Sequence, residues 1–220
     1  MTKKEVCKRC FIFTLGVYIM TFAIRMTISA NLGTTPLSTL PNILSIRFEN
    51  ISFGTMSCLW NLLLVVMQIV ILRKKFKAIQ FIQVPLSLLF GIMLNLSEWL
   101  LMRLNPQTYL SKYTVLIIGC ILLALSISLT IQADLVMNSG EAIVMAIVLE
   151  TGWNFGYVKV ALDVIYVLCG LILSIVFWGA LNGIGIGTLI CAVITGFIVN
   201  FFNKILYPFI NKFFGAKCGR

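Results

Sequence analysis

Apolar residues run along this chain in long, nearly unbroken stretches separated by brief polar interruptions. Six stretches, near 11–31, 54–72, 79–101, 113–132, 157–178 and 184–206, are long enough to cross a hydrocarbon core. Such a crossing takes about 20 apolar residues in a helix. Two shorter stretches, 36–48 and 139–150, follow the first and fourth spans. At about 12 residues they fall short of a crossing, and they predict re-entrant or interfacial helices. In the first of them Leu37, Leu40, Ile43, Leu44 and Phe48 recur at helical spacing, which predicts an amphipathic helix. The expected fold is an all-α polytopic membrane protein: six transmembrane helices plus two short ones, in a single domain over 1–220.

The order long, short, long, long occurs twice, in halves of about 11–103 and 113–208. Local matches keep step with it. Gly16 aligns with Gly119, and Ala30-Asn31-Leu32 with Ala133-Asp134-Leu135, at an offset of 103. Ser52-Phe53-Gly54 aligns with Asn154-Phe155-Gly156, and Asn61 with Asp163, at an offset of 102. The stretch from Gly91 to Asn95 aligns with that from Gly196 to Asn200. An odd number of crossings per half turns the second half upside down, so an inverted repeat is expected, as in many secondary transporters.

Composition supports the membrane reading. Of 220 residues, 60% are hydrophobic and 11% charged, with a mean hydropathy of +1.03. A soluble domain has about 45–50% apolar and about 25% charged residues, because charge must cover its surface. The net charge of +10 sits beside the spans: Lys3, Lys4, Lys8 and Arg9; Arg73, Lys74, Lys75 and Lys77; Lys204, Lys212, Lys217 and Arg220. This is the positive-inside pattern, with anionic lipid headgroups as the partner rather than nucleic acid. Six crossings put both termini and the 73–77 loop in the cytoplasm, whereas eight would put that loop outside. The 133–156 loop fits less well, carrying Asp134, Glu141 and Glu150 with no Lys or Arg. Ala30-Asn31-Leu32 is a poor cleavage site, so the first span is expected to stay in place. With no histidine, and with Cys58, Cys120, Cys169 and Cys191 in apolar stretches, neither a metal site nor a cofactor is expected. Cys7 and Cys10 lack a second ligand pair or a βαβ context and read as plain thiols.

Ionisable and amide groups within spans are costly unless paired or facing a cavity, which makes them candidates for a substrate or ion pathway. Asp163 lies in the fifth span with Lys159 one turn before it, spaced to pair. Arg25 in the first span is expected to snorkel outward, or to pair with Asp163 or Glu141. Glu141 opens the second short helix, after Asn138 and Ser139 as caps. The matching place in the first half is Thr34-Thr35-Pro36, a cap followed by Pro. Two such N-termini could converge on one substrate. Asn61 and Asp134 complete the candidate set with Arg25, Asn138, Glu141, Lys159 and Asp163. Glu98 is expected to be solvated near the outer interface. Gly183-Ile184-Gly185-Ile186-Gly187 has no preceding strand and reads as a tight turn with close helix packing rather than a dinucleotide loop. Trp60, Trp99, Trp153 and Trp178 read as interfacial anchors near span ends.

Ala30-Asn31-Leu32-Gly33-Thr34-Thr35-Pro36, Ser52-Phe53-Gly54-Thr55, Asn138-Ser139-Gly140-Glu141, Asn154-Phe155-Gly156 and Gly183-Ile184-Gly185-Ile186-Gly187-Thr188 occur in this order. As a set they resemble the YczE/YyaS/YitT family of bacterial membrane proteins, nearest its YczE-like branch; Val136 departs from the pattern, where Gly would match Gly33. The resemblance implies a bacterial cytoplasmic (inner) membrane protein and implies no substrate. The expected function is a small secondary transporter or permease for a small molecule or ion. The alternatives are an accessory protein of another assembly, a passive channel, or a subunit of an energised importer. An enzyme is not expected, since no Ser or Cys stands paired with a base. A homo-oligomer is compatible with this picture.

Overall fold

The computed structural model describes residues 3–180 and 182–214. Lys217 and Arg220 lie outside the described residues, as do the side chains of Lys3, Lys4 and Lys212. Among the described residues the chain forms α1 (Lys3–Ser29), α2 (Pro36–Arg47), α3 (Phe53–Leu72), α4 (Gln83–Leu100), α5 (Tyr109–Ala133), α6 (Ser139–Thr151), α7 (Phe155–Trp178) and α8 (Ile186–Phe214). Two 3-10 turns, Arg73–Lys75 and Ala78–Ile82, join α3 to α4. Six segments are long and apolar enough to cross a membrane: Glu5–Ser29, Phe53–Lys75, Ala78–Leu100, Tyr109–Ala133, Phe155–Trp178 and Ile186–Ile210. Their outward side chains include Leu63, Val70, Ile92, Val160, Ile172, Val193 and Phe197, all exposed. A water-soluble protein could not carry that surface, whereas lipid chains solvate it.

Local chemistry sets the helix ends. Ser52 Oγ accepts from Thr55 N at 3.2 Å, and Asn154 Oδ1 from Gly156 N at 2.9 Å. Both cap orphan amides where α3 and α7 begin. α2 starts on Pro36 after Thr35, and Gly152 and Gly179 end α6 and α7 in the left-handed conformation. α1 starts at Lys3, so Lys8, Arg9 and the exposed Cys7 and Cys10 ride on its first turns rather than preceding it.

α1 and α5 cross at the centre through small residues. A Cβ on Gly16 would lie 2.8 Å from Thr130 Cγ2 and 3.3 Å from Ser126 O. A Cβ on Gly119 would lie 2.8 Å from Thr27 Cγ2 and 3.4 Å from Ala23 O. Each of the three positions in α1, Gly16, Ala23 and Thr27, has its counterpart in α5 at the offset of 103, Gly119, Ser126 and Thr130. Around this pair α4 packs on α1 and α8 on α5; α6 packs on α3 and α2 on α7; α2 packs on α3 and α6 on α7.

The short helices lie inside the bundle. The amphipathic reading of α2 does not hold, because Ser38, Thr39, Asn42 and Pro41 are buried together with Leu40 and Ile43. Packing against α3 on one side and α7 on the other encloses the first two turns of α2, while its C-terminal end borders a polar hollow. α6 is enclosed in the same way by α3 and α7, through Ile143, Val144, Leu64 and Val158. The glycine-rich turn before α8 packs on the turn after α1, as expected. Gly187 N donates to Leu32 O at 2.8 Å, and a Cβ on Gly185 would lie 2.3 Å from that oxygen.

Candidate functional site

Two ion pairs tie one face of the bundle together. Lys75 Nζ lies 3.0 Å from Glu150 Oε1, and Arg9 lies 3.6 Å from Asp134 Oδ2. The acidic 133–156 segment thus finds its cations across the surface, on α1 and in the 73–77 loop. Asp134 lies apart from the other candidates, at the surface. Its side chain is 88% exposed on the left-handed cap that ends α5.

Arg25 reaches toward the end of its helix, but its carboxylate partner is not one of those expected. It pairs with Glu98 of α4 at 3.2 Å, not with Asp163 or Glu141, and Glu98 is correspondingly an ion-pair partner rather than a merely solvated acid. The two line a polar hollow of about 770 Å³ with Asn31, Asn42 and Asn105, where α1 and α4 end.

The other five candidates meet in a second cavity, of about 470 Å³, inside the bundle. Asn61 enters from α3, Asn138 and Glu141 from the start of α6, and Lys159 and Asp163 from α7. Lys159 Nζ donates to Asp163 Oδ1 across one turn, as the spacing predicts. Asn138 occupies the cap position of α6, yet its side chain makes no cap bond; its Nδ2 lies 3.6 Å from Met20 Sδ. The starts of α2 and α6 do converge here. Thr35, Pro36 and Leu37 line the cavity, and a Cβ on Gly140 would fall 2.4 Å from Leu37 Cδ2.

Glu141 is half-buried as a residue, but its Oε2 is shut away and has no hydrogen-bond partner. Burial pushes its carboxyl pKa up; Lys159 pulls it back, and Asp163 adds a smaller upward push. Ser57 Oγ, Trp60 Nε1 and Thr195 Oγ1 are likewise buried without partners, and all three residues line the same cavity. Buried polar groups are seldom left unsatisfied in folded proteins. Four around one hollow mark a place that takes a polar occupant or water.

Sequence reasoning missed three of those four. Trp60 is no interfacial anchor: it sits well inside α3, packed edge-on against Tyr166 with ring centroids 5.9 Å apart. Ser57 lies one turn before Asn61 on the same helix face, a spacing that could have flagged it. Thr195 offered no signal, since hydroxyls are common in buried helices and a lone one costs little.

The two ends of the cavity wall differ. α3 and α4 are sealed: Gly54 N donates to Asn95 Oδ1 at 3.1 Å, and a Cβ on Gly54 would fall 2.3 Å from Gly91 O. α7 and α8 make no comparable contact. Their matching residues Gly156, Gly196 and Asn200 line the cavity instead, and a Cβ on Gly196 would meet nothing within 4 Å.

Residues 7–204 match DUF6198, a family of unknown function. The chain belongs to this family. Over 203 residues it is 26% identical to the uncharacterized membrane protein YczE of Bacillus subtilis (strain 168), covering 90% of this chain and 87% of that protein. The likeness to YczE accords with the order of motifs from Asn31 to Thr188. No solved structure matches the chain. The family member described here is therefore a multi-pass membrane protein whose site is read from its own geometry.

Proposed function

We propose that this protein is a small secondary transporter of two inverted halves, α1–α4 and α5–α8, with the charged cavity as its substrate site. One observation carries the reading: the cavity opens where α7 and α8 fail to make the contact that Gly54, Gly91 and Asn95 make between α3 and α4. In inverted-repeat transporters the two halves adopt different conformations, and exchanging them moves the opening from one side to the other. The reciprocal crossing of α1 and α5, with Gly16 on Thr130 and Gly119 on Thr27, supplies the two-fold axis that such an exchange needs.

The positive-inside rule orients the molecule. Lys8, Arg9, Arg73, Lys74, Lys75 and Lys77 share the face held by the Arg9–Asp134 and Lys75–Glu150 pairs, so that face and both termini are cytoplasmic, in a bacterial inner membrane. A passive channel is less well supported. It would need a polar lining from end to end, whereas Ile24, Leu123, Ile127, Ile131 and Val199 wall this cavity around one cluster of charge.

The test is flux. Protein reconstituted in liposomes is screened on solid-supported membranes against metabolites and ions at two pH values. Saturable, protein-dependent currents for some compound, lost in Asp163→Asn with the fold retained, are expected. Absence of flux for every compound that binds the folded protein would refute transport.

A further inference from the structure

We propose that the cavity binds organic monocations with an apolar body, the ammonium group held by Glu141. This rests on the transporter reading of the same cavity and adds the substrate class.

Lys159 and Asp163 neutralise each other on α7, and Arg25 is committed to Glu98 in the other hollow. α1, α2, α3, α4, α5 and α8 contribute no Asp, Glu, Lys or Arg to the lining. The cavity therefore carries one uncompensated charge, the carboxylate of Glu141, whose Oε2 is buried without a partner. A buried unpaired carboxylate is costly, and a cation beside it removes the cost.

The helix N-termini do not offer a competing anion site. α2 begins on Pro36, which has no N–H, and Ser38 N already donates to Thr35 O at 3.0 Å. α6 carries Glu141 in its own first turn, where the acid itself answers the dipole. An anion would meet Glu141 at close range.

The walls define the rest of the ligand. Ile24, Leu123 and Val199 present aliphatic surface, while Trp60, Phe90 and Phe155 present aromatic rings, which attract cations as well as apolar groups. A volume of about 470 Å³ suits a small amphipathic molecule. The unpartnered Trp60 Nε1 and the Ser57 and Thr195 hydroxyls provide hydrogen bonds for a second polar group on it.

Proton coupling follows. With its carboxyl pKa raised by burial, Glu141 holds a proton in the empty site at acid pH, and arrival of the cation releases that proton to solvent. Lys159 and Asp163 are the other charged groups facing it, both from α7. Binding therefore strengthens as pH rises through the Glu141 value.

The experiment measures thermal stabilisation of the full-length protein in detergent by phenethylamine, phenethyl alcohol and phenylacetate, at mildly acidic and mildly alkaline pH. Phenethylamine is expected to raise the melting temperature, more at the higher pH, and its neutral and anionic analogues are not. Glu141→Gln should weaken the amine by about ten- to hundredfold, the worth of a hydrogen bond to a charged group. Asp163→Asn, which turns Lys159 toward Glu141, should weaken it too, while Glu98→Gln should leave it unchanged. Stabilisation by phenylacetate, equal stabilisation by the alcohol, full retention in Glu141→Gln, or no response to any probe would each overturn the inference. These outcomes are separable from failure of the transport reading, in which a probe binds at Glu141 and no compound crosses the membrane.

Discussion

Alanine placed at a glycine of the sealed pair, α3 and α4, and at one of the open pair, α7 and α8, should have opposite effects on stability. At Gly54 a Cβ would fall 2.3 Å from Gly91 O and 2.3 Å from Asn95 Oδ1, so α3 and α4 must separate and the Asn95 bond to Gly54 N must stretch or break. Overpacking of this kind costs about 1–3 kcal/mol, and a lost hydrogen bond about 1 kcal/mol. Gly54 lies in the first turn of α3, so little of the helix-propensity gain offsets that cost. At Gly196, inside α8, nothing lies within 4 Å, and alanine gains about 1 kcal/mol of helix propensity over glycine. The expected contrast between Gly54→Ala and Gly196→Ala is about 3 kcal/mol. For a chain of this size that separates the two melting temperatures by about 6–12 °C. Tryptophan fluorescence of the detergent-solubilised variants during heating, with size-exclusion chromatography to confirm the folded state, reads the difference. If Gly196→Ala proves as damaging as Gly54→Ala, then α7 and α8 pack as α3 and α4 do, the cleft is closed at rest, and the asymmetry behind the transport reading is wrong.

If the halves exchange conformation, cysteines at Gly156→Cys and Gly196→Cys should cross-link on oxidation in membranes, and the cross-linked protein should expose Cys58, now buried against Gly91, to maleimide; a Cys58 that stays protected after cross-linking would argue against exchange. The raised Glu141 pKa means that the folded state binds the proton more tightly than the unfolded chain, so this group subtracts stability as pH rises above the ordinary carboxylate value. Glu141→Gln should therefore be more stable than the parent at neutral pH, with a melting temperature that declines less on going from acid to neutral; parallel curves would refute the assignment. A double-mutant cycle on Arg25→Gln and Glu98→Gln should give a coupling below about 1 kcal/mol, because both side chains border an open polar hollow. A larger value would mean that the hollow is drier than its lining implies.

Hydropathy and charge order alone determined that this chain crosses a membrane through six helices. Hydrocarbon admits only backbone that satisfies its own hydrogen bonds, so span length and flanking Lys and Arg leave few choices. The helix starts at Ser52 and Asn154 and the Lys159–Asp163 pair were legible for a similar reason, since both depend on neighbours a few residues away. Which distant groups meet was not legible. Arg25, Asp163 and Glu141 are equivalent to a hydropathy argument, and only the packing of α4 beside α1 gave Arg25 to Glu98. Asp134 and Glu141 read alike as acids in one loop, yet one caps α5 in the open and the other is carried inward by α6 between α3 and α7. Trp60 looked like an anchor because sequence shows where a residue lies along a helix, not which way that helix faces. Matched glycines are identical in sequence as well; it took the tertiary arrangement to press Gly54 against Gly91 and hold Gly156 apart from Gly196, because contact between helices is a property of the whole bundle.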